Sequence, residues 1–319
     1  MHILIAGKNS YIGSSFKSFV YNVHNAENWQ IDLISVRNHD WENMDFSGYD
    51  AVICAAAVVH RKEHKEDEKL YRTVNYELPV KLAEKALKAG VTQFIFLSTM
   101  AVYGSDCTAV TKTTPLKPVN YYAKYKKNAE DKLIEISGGT MKTVIIRPPV
   151  VYGKDCKGNF SRLVKLSKIC FLFPDTDNKR SMIFIDNLCE YMYLVIKNRY
   201  EGIGNPHNTE PVNTAELVKE IRKAKGKNTY TTKLFNGLIR ILAKKISVFK
   251  KMFGDCYYLE DTDKAAASIY QIAGNVNAAC NLKIGNDAKH GNTSEIGRIE
   301  IDTACYQTVD FSESIRRSI

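Results

Sequence analysis

An apolar run close to the start of the chain, Ile3-Leu4-Ile5-Ala6, stops at Gly7 and gives way within a few residues to a helical pattern from Ser10 to Val20. No other feature of the sequence constrains the fold as much. A strand that turns into a helix through Gly7-Lys8-Asn9-Ser10-Tyr11-Ile12-Gly13 is the opening half of a βαβ unit. The alternation then repeats. Strands are expected at Ile31–Val36, Ala51–Ala57, Gln93–Leu97 and Thr143–Ile146, with helices at Leu78–Ala89, closed by Gly90, and from about Tyr122 to Ile136, closed by Gly138-Gly139. Ala51–Ala57 is almost wholly apolar, as a strand buried on both faces must be. Strands alternating with helices imply an α/β fold, a doubly wound Rossmann-type parallel sheet.

After Pro148-Pro149 the alternation degrades, although Ile183–Ile185 still reads as a strand and Asn187–Lys197 as a helix. The expected organisation is a sheet domain over residues 1–148, to which 183–200 return. A smaller C-terminal substrate-binding lobe, residues 149–182 and 201–319, would stand at the strand ends where open sheets bind ligands. Residues 262–306 are rich in Ala, Asn and Gly with weak periodicity and read as an insertion in that lobe.

Composition narrows the functional classes. The chain has 319 residues, 45% hydrophobic and 25% charged, which excludes disorder and fibrous repeats. No apolar run reaches the ~18 residues of a membrane span, and Met1-His2 leads straight into the first strand without a signal peptide. A cytoplasmic protein with no stable membrane insertion is expected. Its eight cysteines are scattered and read as reduced thiols. His60 and His64 share a helical spacing but have no third ligand nearby, so no metal site is expected.

The formal net charge is +10, from 45 Lys+Arg against 35 Asp+Glu. Most of the basic residues are spread along the chain, and no nucleic-acid partner is expected. The exception is Lys233 to Phe253, a basic helical pattern with Leu234, Leu238, Ile241, Leu242 and Phe249 available for one face. That pattern fits an interfacial helix, but the expected role is a domain helix with its apolar side buried and its lysines solvated.

The Gly7 turn is a candidate cofactor site. Small residues let the backbone from Gly7 through Asn9, Ser10, Tyr11 and Ile12 to Gly13 approach a pyrophosphate, which the helix N-terminus also attracts. Ser10 stands where the dinucleotide fingerprint has its middle glycine. The second strand runs out into Ser35-Val36-Arg37-Asn38, and a guanidinium there suits a 2′-phosphate better than a free ribose diol. Arg37 thus favours NADP over NAD.

Thr99, just past the strand Gln93–Leu97, and the helical pair Tyr122 and Lys126 could form a proton-handling set. A phenol with a free pKa of ~10 is a poor base at neutral pH, and an ammonium ~4 Å away could lower that value by roughly three units at most. Tyrosine could then exchange a proton with a substrate hydroxyl while hydride moves to or from a nicotinamide. The neighbouring tyrosines and lysines of Tyr121-Tyr122-Ala123-Lys124-Tyr125-Lys126-Lys127 leave the choice of Tyr122 open on spacing alone.

The sequence resembles the extended short-chain dehydrogenases/reductases of the NAD-dependent epimerase/dehydratase family, which act on nucleotide sugars. Gly7–Gly13 resembles the opening motif, and Asp50–Ala57 the fourth strand, whose small residues, here Ala55 and Ala56, flank the cofactor. Asn75 in Tyr71-Arg72-Thr73-Val74-Asn75 matches a structural asparagine, and Asp40-Trp41 a pair that contacts adenine. Phe96–Gly104 resembles the segment whose catalytic Ser/Thr falls on Thr99. The Tyr-x-x-x-Lys segment falls on Tyr122 and Lys126, followed by Ala129-Glu130. Arg147-Pro148-Pro149-Val150-Val151-Tyr152-Gly153 resembles the passage into the substrate lobe, with Pro149 beside the cofactor. In that lobe the resemblance gives Asn159 and Arg180 contact with the substrate diphosphate, and 307–315 the terminal segment, while Asp186-Asn187 read as a cap of the helix that follows.

Dehydratases of this family place an Asp-Glu pair directly after the catalytic threonine. Here Met100-Ala101 follows Thr99, which disfavours dehydration. The resemblance implies a UDP-hexose or UDP-N-acetylhexosamine 4-epimerase using NAD or NADP, in glycan precursor synthesis. Alternatives are an NADPH-dependent reductase of a UDP-4-keto-6-deoxy-hexosamine and, from another class, a non-catalytic dinucleotide-sensing protein. Relatives often pair through the two helices Leu78–Ala89 and Tyr122–Ile136, so a homodimer is a possible assembly.

Overall fold

The computed structural model describes residues 1–59, 63–105, 108–259, 298–299 and 301–319. His60, and residues 262–297 of the stretch read as an insertion, lie outside the described residues. The first half runs β1 (His2–Ala6), α1 (Tyr11–Val23), β2 (Gln30–Ile34), β3 (Ala51–Cys54), α2 (Glu68–Arg72), α3 (Leu78–Lys88), β4 (Gln93–Leu97), β5 (Ala109–Val110), α4 (Tyr121–Ser137) and β6 (Lys142–Ile146). It continues through β7 (Val150–Tyr152), α5 (Asn159–Ser167), β8 (Leu172–Pro174), β9 (Met182–Phe184), α6 (Ile185–Lys197), β10 (Gly202–Gly204) and α7 (Thr214–Lys223). Then follow β11 (Tyr230–Thr232), α8 (Asn236–Lys245), α9 (Ser247–Phe253), β12 (Tyr257–Tyr258) and β13 (Arg298–Ile299).

Seven strands make one sheet in the order β2-β1-β3-β4-β6-β10-β13, with every neighbouring pair parallel. Every residue of β3 and β4 is buried. The physical reason is the double winding, because helices cover both faces of a parallel sheet. Ile3, Ile5, Ile53 and Ile95 point into one core with Phe16 of α1 and Leu188 of α6. Leu4, Val52, Phe94 and Phe96 point into the other with Leu82 of α3 and Leu133 of α4. Gln93, the polar exception in β4, donates to the carbonyls of Val195 and Tyr200 at 3.2 and 2.8 Å.

Some sequence readings need correction. The segment likened to a fourth strand is the third along the chain, and β3 ends at Cys54, so Ala55 and Ala56 leave the sheet as a loop. Residues 298–299 and 301–306 contribute to the sheet and its cover: β13 pairs with β10, and Ile299, Ile301 and Tyr306 join the main core. Cys54, Cys156, Cys170 and Cys189 are free thiols, whereas Cys305 is disulfide-bonded. No helix among the described residues is long and apolar enough to cross a membrane.

The expected Lys233–Phe253 helix is two helices, because the backbone at Ile246 is extended between α8 and α9. Nor is its apolar side simply buried. Ile239 is buried, but Leu234, Leu238 and Ile241 stand exposed.

Candidate active site

The turn after β1 crosses the end of β2, with the amides of Gly7 and Lys8 both donating to the carbonyl of Ile34 at 2.9 and 2.8 Å. Gly7 has φ +129°, and a Cβ there would lie 3.0 Å from the Ala56 amide nitrogen. A Cβ on Gly13 would lie 2.9 Å from the Ile5 side chain. Only glycine lets this turn, the first turn of α1 and the Ala55-Ala56 loop come so close. Ser10 has taken another task in place of the missing glycine. It is the N-cap of α1, its hydroxyl accepting from the Gly13 amide at 3.3 Å.

The Gly7 turn, the bare methyls of Ala55 and Ala56 and the N-terminus of α1 together fit a dinucleotide pyrophosphate. Asn9 is exposed on the turn, with Tyr11 and Ile12 half-buried behind it. The Tyr11 hydroxyl is buried and makes no hydrogen bond among the described residues. Asn75, wholly buried, pins the loop beyond Ala56 by accepting from the Val58 amide at 3.0 Å and donating to its carbonyl at 3.1 Å. Arg37 and Asp40 lie exposed beyond β2, whereas the Trp41 indole packs into the core with Leu4 and Ile34.

Thr99, Tyr122 and Lys126 are brought together. Thr99 caps the short turn Met100–Tyr103, its hydroxyl accepting from the Ala101 amide at 3.1 Å. The Met100 amide donates to the Pro148 carbonyl at 2.9 Å, tying the end of β4 to the Pro148-Pro149 exit from β6. Pro149 itself is half-buried.

The Tyr122 phenol and the Thr99 hydroxyl lie close enough to influence one another. Burial pushes the Tyr122 phenol up to about 12, the nearby Thr99 hydroxyl opposes that rise, and Tyr71 adds to it. The opposing pull therefore comes from Thr99, where the sequence suggested Lys126. The Lys126 ammonium is buried instead against the end of β4, donating to the Leu97 carbonyl at 2.7 Å and lying 4.3 Å from the centroid of the Phe96 ring. Burial lowers it to about 8, against the pull of Cys54 and Glu130.

Three residues that hold this set in place were missed in the sequence. Glu63 accepts from the amides of Tyr121 and Tyr122 at 2.8 and 3.2 Å, and Asn120 accepts from that of Ala123, so the first turn of α4 is fully capped. Glu130, one turn beyond Lys126, accepts from the Ser98 hydroxyl and from the Arg147 guanidinium at 2.6 to 3.2 Å. Arg147 also donates to the Tyr103 hydroxyl at 2.9 Å. Both charged side chains of the pair are at most 5% exposed. Glu130 was legible as an i+4 partner of Lys126, but the capping role of Glu63, 58 residues before Tyr121, had no local signal.

Of the diphosphate candidates, Asn159 is exposed in the first turn of α5. Arg180 is held by an antiparallel bridge to Val212 and a parallel one to Cys256, and its guanidinium donates to the Gly254 carbonyl at 2.8 Å. Burial pulls Arg180 below the ordinary guanidinium value. The Cys256 thiol lies 3.7 Å from the Met100 sulfur, which connects the Arg180 segment to the residue after Thr99.

Residues 3–208 match the model of the NAD dependent epimerase/dehydratase family. The chain belongs to that family. It is 34% identical over 194 residues to UDP-glucose 4-epimerase of Vibrio cholerae, a match covering 56% of this chain and 58% of that protein. This relative is thus matched over less than two thirds of its length. A second relative, N-acetyl-alpha-D-glucosaminyl-diphospho-ditrans,octacis-undecaprenol 4-epimerase of Escherichia coli O157:H7, is 27% identical over 71% of this chain and 73% of its own. Among solved structures, a UDP-glucuronic acid 4-epimerase variant from Bacillus cereus, crystallised with a fluorinated UDP-sugar and NAD, aligns with a TM-score of 0.65 at 17% identity. That alignment covers 100% of this chain and 98% of the other. The UDP-Glc/GlcNAc 4-epimerase of Campylobacter jejuni aligns at 0.57 and 22% identity, over 72% of this chain and 85% of its own. At these identities the two structures share the fold of the family.

Proposed function

We propose that this family member is a nucleotide-sugar 4-epimerase, acting on a UDP-linked hexose or N-acetylhexosamine with NAD or NADP bound at the Gly7 turn. What carries the reading is the Tyr122 phenol beside the Thr99 hydroxyl with Lys126 one helical turn on, in a chain where Met100-Ala101 replaces the acidic pair of a dehydratase. The names of the Vibrio and Escherichia relatives set the sugar on UDP and on a polyprenyl diphosphate respectively, and their shared chemistry is a sugar on a diphosphate.

When bound, the dinucleotide supplies a hydride acceptor and donor. The chain's own residues handle the proton and the positioning. Tyr122 exchanges the proton of the sugar 4-hydroxyl, and Thr99 hydrogen-bonds the same oxygen. Lys126 holds positive charge under the site, and Arg180 with Asn159 offers donors to the diphosphate. The helices α3 and α4 are the surfaces through which a second copy would pair in a homodimer.

The test is Tyr122→Phe. Epimerisation should fall by ~10² or more while dinucleotide binding is retained. Unchanged turnover overturns the acid/base assignment, and an absence of any turnover in the wild type leaves a dinucleotide-sensing protein.

Arg37, exposed beyond β2, favours a second reading as an NADPH-dependent 4-keto-sugar reductase. Absorbance at 340 nm, read before and after adding UDP-hexoses, separates the two. Product epimer with only a small change in bound cofactor supports the epimerase. Stoichiometric oxidation of added NADPH with a 4-keto sugar supports the reductase.

A further inference from the structure

Most of the large apolar side chains exposed among the described residues cluster in one part of the second lobe. Ile169, Phe171, Tyr230, Leu234, Leu238 and Ile241 are each 56% to 82% exposed. The segments that carry them are tied together. Leu172 of β8 and Tyr230 of β11 are register partners on the same face of a two-stranded parallel ribbon, and the Tyr230 amide donates to the Phe171 carbonyl at 2.9 Å. The Asn236 side chain donates to the Asp175 carbonyl at 2.7 Å, fastening the start of α8 to the end of the same ribbon. Leu238 and Ile241 are three apart on α8, and Leu234 lies in the turn that leads into it. A domain helix normally shows solvent its polar side. Here Ile239 faces the lobe while Leu238 and Ile241 face out.

The charge around this surface is predominantly positive, although Asp175 and Asp177 stand at the end of the ribbon and Glu220 pairs with Lys223 at 3.8 Å. Residues 221–254 contain ten basic residues and no acidic one, a balance equal to the whole formal charge of +10. Residues 156–174, which supply Ile169 and Phe171, also contain no acidic residue. Lys165, Lys168, Lys223, Lys227, Lys233 and Lys245 are exposed. Lys225 lies close enough to Lys168 and Lys227 for their charges to lower its proton affinity, on top of the effect of partial burial. Such a concentration of positive charge attracts anions and anionic surfaces.

We propose that the face built from β8, β11 and α8 docks the protein peripherally onto an anionic lipid surface, its apolar side chains entering the headgroup boundary and its lysines pairing with lipid phosphates. Apolar side chains surrounded by lysines, on an element too short to span, are the signature of an interfacial segment. The dispersed positive charge fits a sheet of anionic headgroups. The same run of chain continues through α9 to Gly254 and Cys256, which hold Arg180 and touch Met100, so docking places the substrate lobe beside the membrane. This inference is independent of the reaction and is tested without substrate.

The experiment is co-sedimentation of the full-length chain with vesicles of phosphatidylcholine alone and of phosphatidylcholine mixed with phosphatidylglycerol. Binding to the mixed vesicles, weaker in high salt and absent on phosphatidylcholine alone, is the expected result. The pair Leu238→Ser and Ile241→Ser should weaken partitioning roughly tenfold or more at an unchanged thermal midpoint. Lys225→Gln with Lys227→Gln should weaken it without touching an apolar group. Failure to sediment with mixed vesicles at low salt overturns the proposal, as does binding that survives both pairs of substitutions. A concentration-dependent rise in mass by light scattering, abolished by the serine pair, would assign the face to a second copy of the chain instead.

Discussion

Two regions of this molecule reverse the usual rule for what lies inside and outside. Beneath the candidate active site, Glu130 and Arg147 are buried charges, satisfied by each other, by Ser98 and by Tyr103. In the second lobe, Leu234, Leu238 and Ile241 are apolar side chains left in solvent. Residue type is a guide to burial only where packing is the sole demand. The buried pair fixes the ends of β4, α4 and β6 relative to one another, and the exposed leucines leave a face free to meet something else. Substitutions should therefore hurt in the reverse of the order that hydrophobicity suggests.

The largest effect is expected at Glu130→Ala. It leaves the Arg147 guanidinium buried without its carboxylate and should cost about 3–5 kcal/mol, read as a fall in the urea midpoint. A loss under 1 kcal/mol would mean that solvent reaches the pair. Because Ser98 precedes Thr99 and Glu130 follows Lys126 by one turn, activity should fall with stability in milder variants such as Glu130→Gln.

Lys126 sharpens the comparison through pH. Burial holds its pKa at about 8, below an ordinary 10.5. Between those values the unfolded chain binds a proton that the folded chain does not. Stability contributed by this group therefore rises with pH across that window, by up to about 3 kcal/mol in total. Lys126→Met should be the more stable protein at neutral pH, by a margin that shrinks as pH climbs past 8 towards 10. The reading is the difference in urea midpoint between the two proteins along that series. A margin that stays constant would mean that Lys126 keeps its proton throughout.

The two regions also differ in how much of them the sequence disclosed. In the sheet, Ala51–Cys54 and Gln93–Leu97 are apolar because both faces are covered, so an apolar run and a strand coincide. Gly7 and Gly13 were legible for a similar reason, because steric exclusion at a close backbone approach leaves only glycine. The proximity of Thr99 to Tyr122 came from resemblance, since a Tyr-x-x-x-Lys spacing alone could not choose among neighbouring tyrosines. Glu63 was hidden because it caps α4 from a distant loop. Trp41, matched to a cofactor contact, is a core residue here because the turn at Asp40–Asn43 folds its indole inward.

In the second lobe the periodicity of Lys233–Phe253 was real, but it pointed both ways. Leu238 and Ile239 are adjacent apolar residues about 100° apart around α8, one exposed and one buried, and a pattern of apolar positions does not say which side meets the protein. The extended backbone at Ile246, which divides the helix, falls in a run with no proline or glycine to announce it.

The smallest effect is expected on that exposed face, and it is the most discriminating. Leu238 is 56% exposed and Ile239 only 5%. Leu238→Ser removes an apolar side chain that the folded lobe barely uses, so stability should change by no more than about 0.5 kcal/mol. Ile239→Ala, one residue on, should cost about 2 kcal/mol or more, because it opens space in the packed side of the same helix. The two urea midpoints, measured on the full-length chain, check both claims. Equal losses would mean that Leu238 is packed in solution, covered by this chain or by another copy of it. The basic apolar face would then be an internal seam, with no surface left to meet a membrane. A near-zero change at Leu238 beside a clear loss at Ile239 would leave the outward leucines without a role in folding, so that their presence has to be explained by what they touch outside the chain.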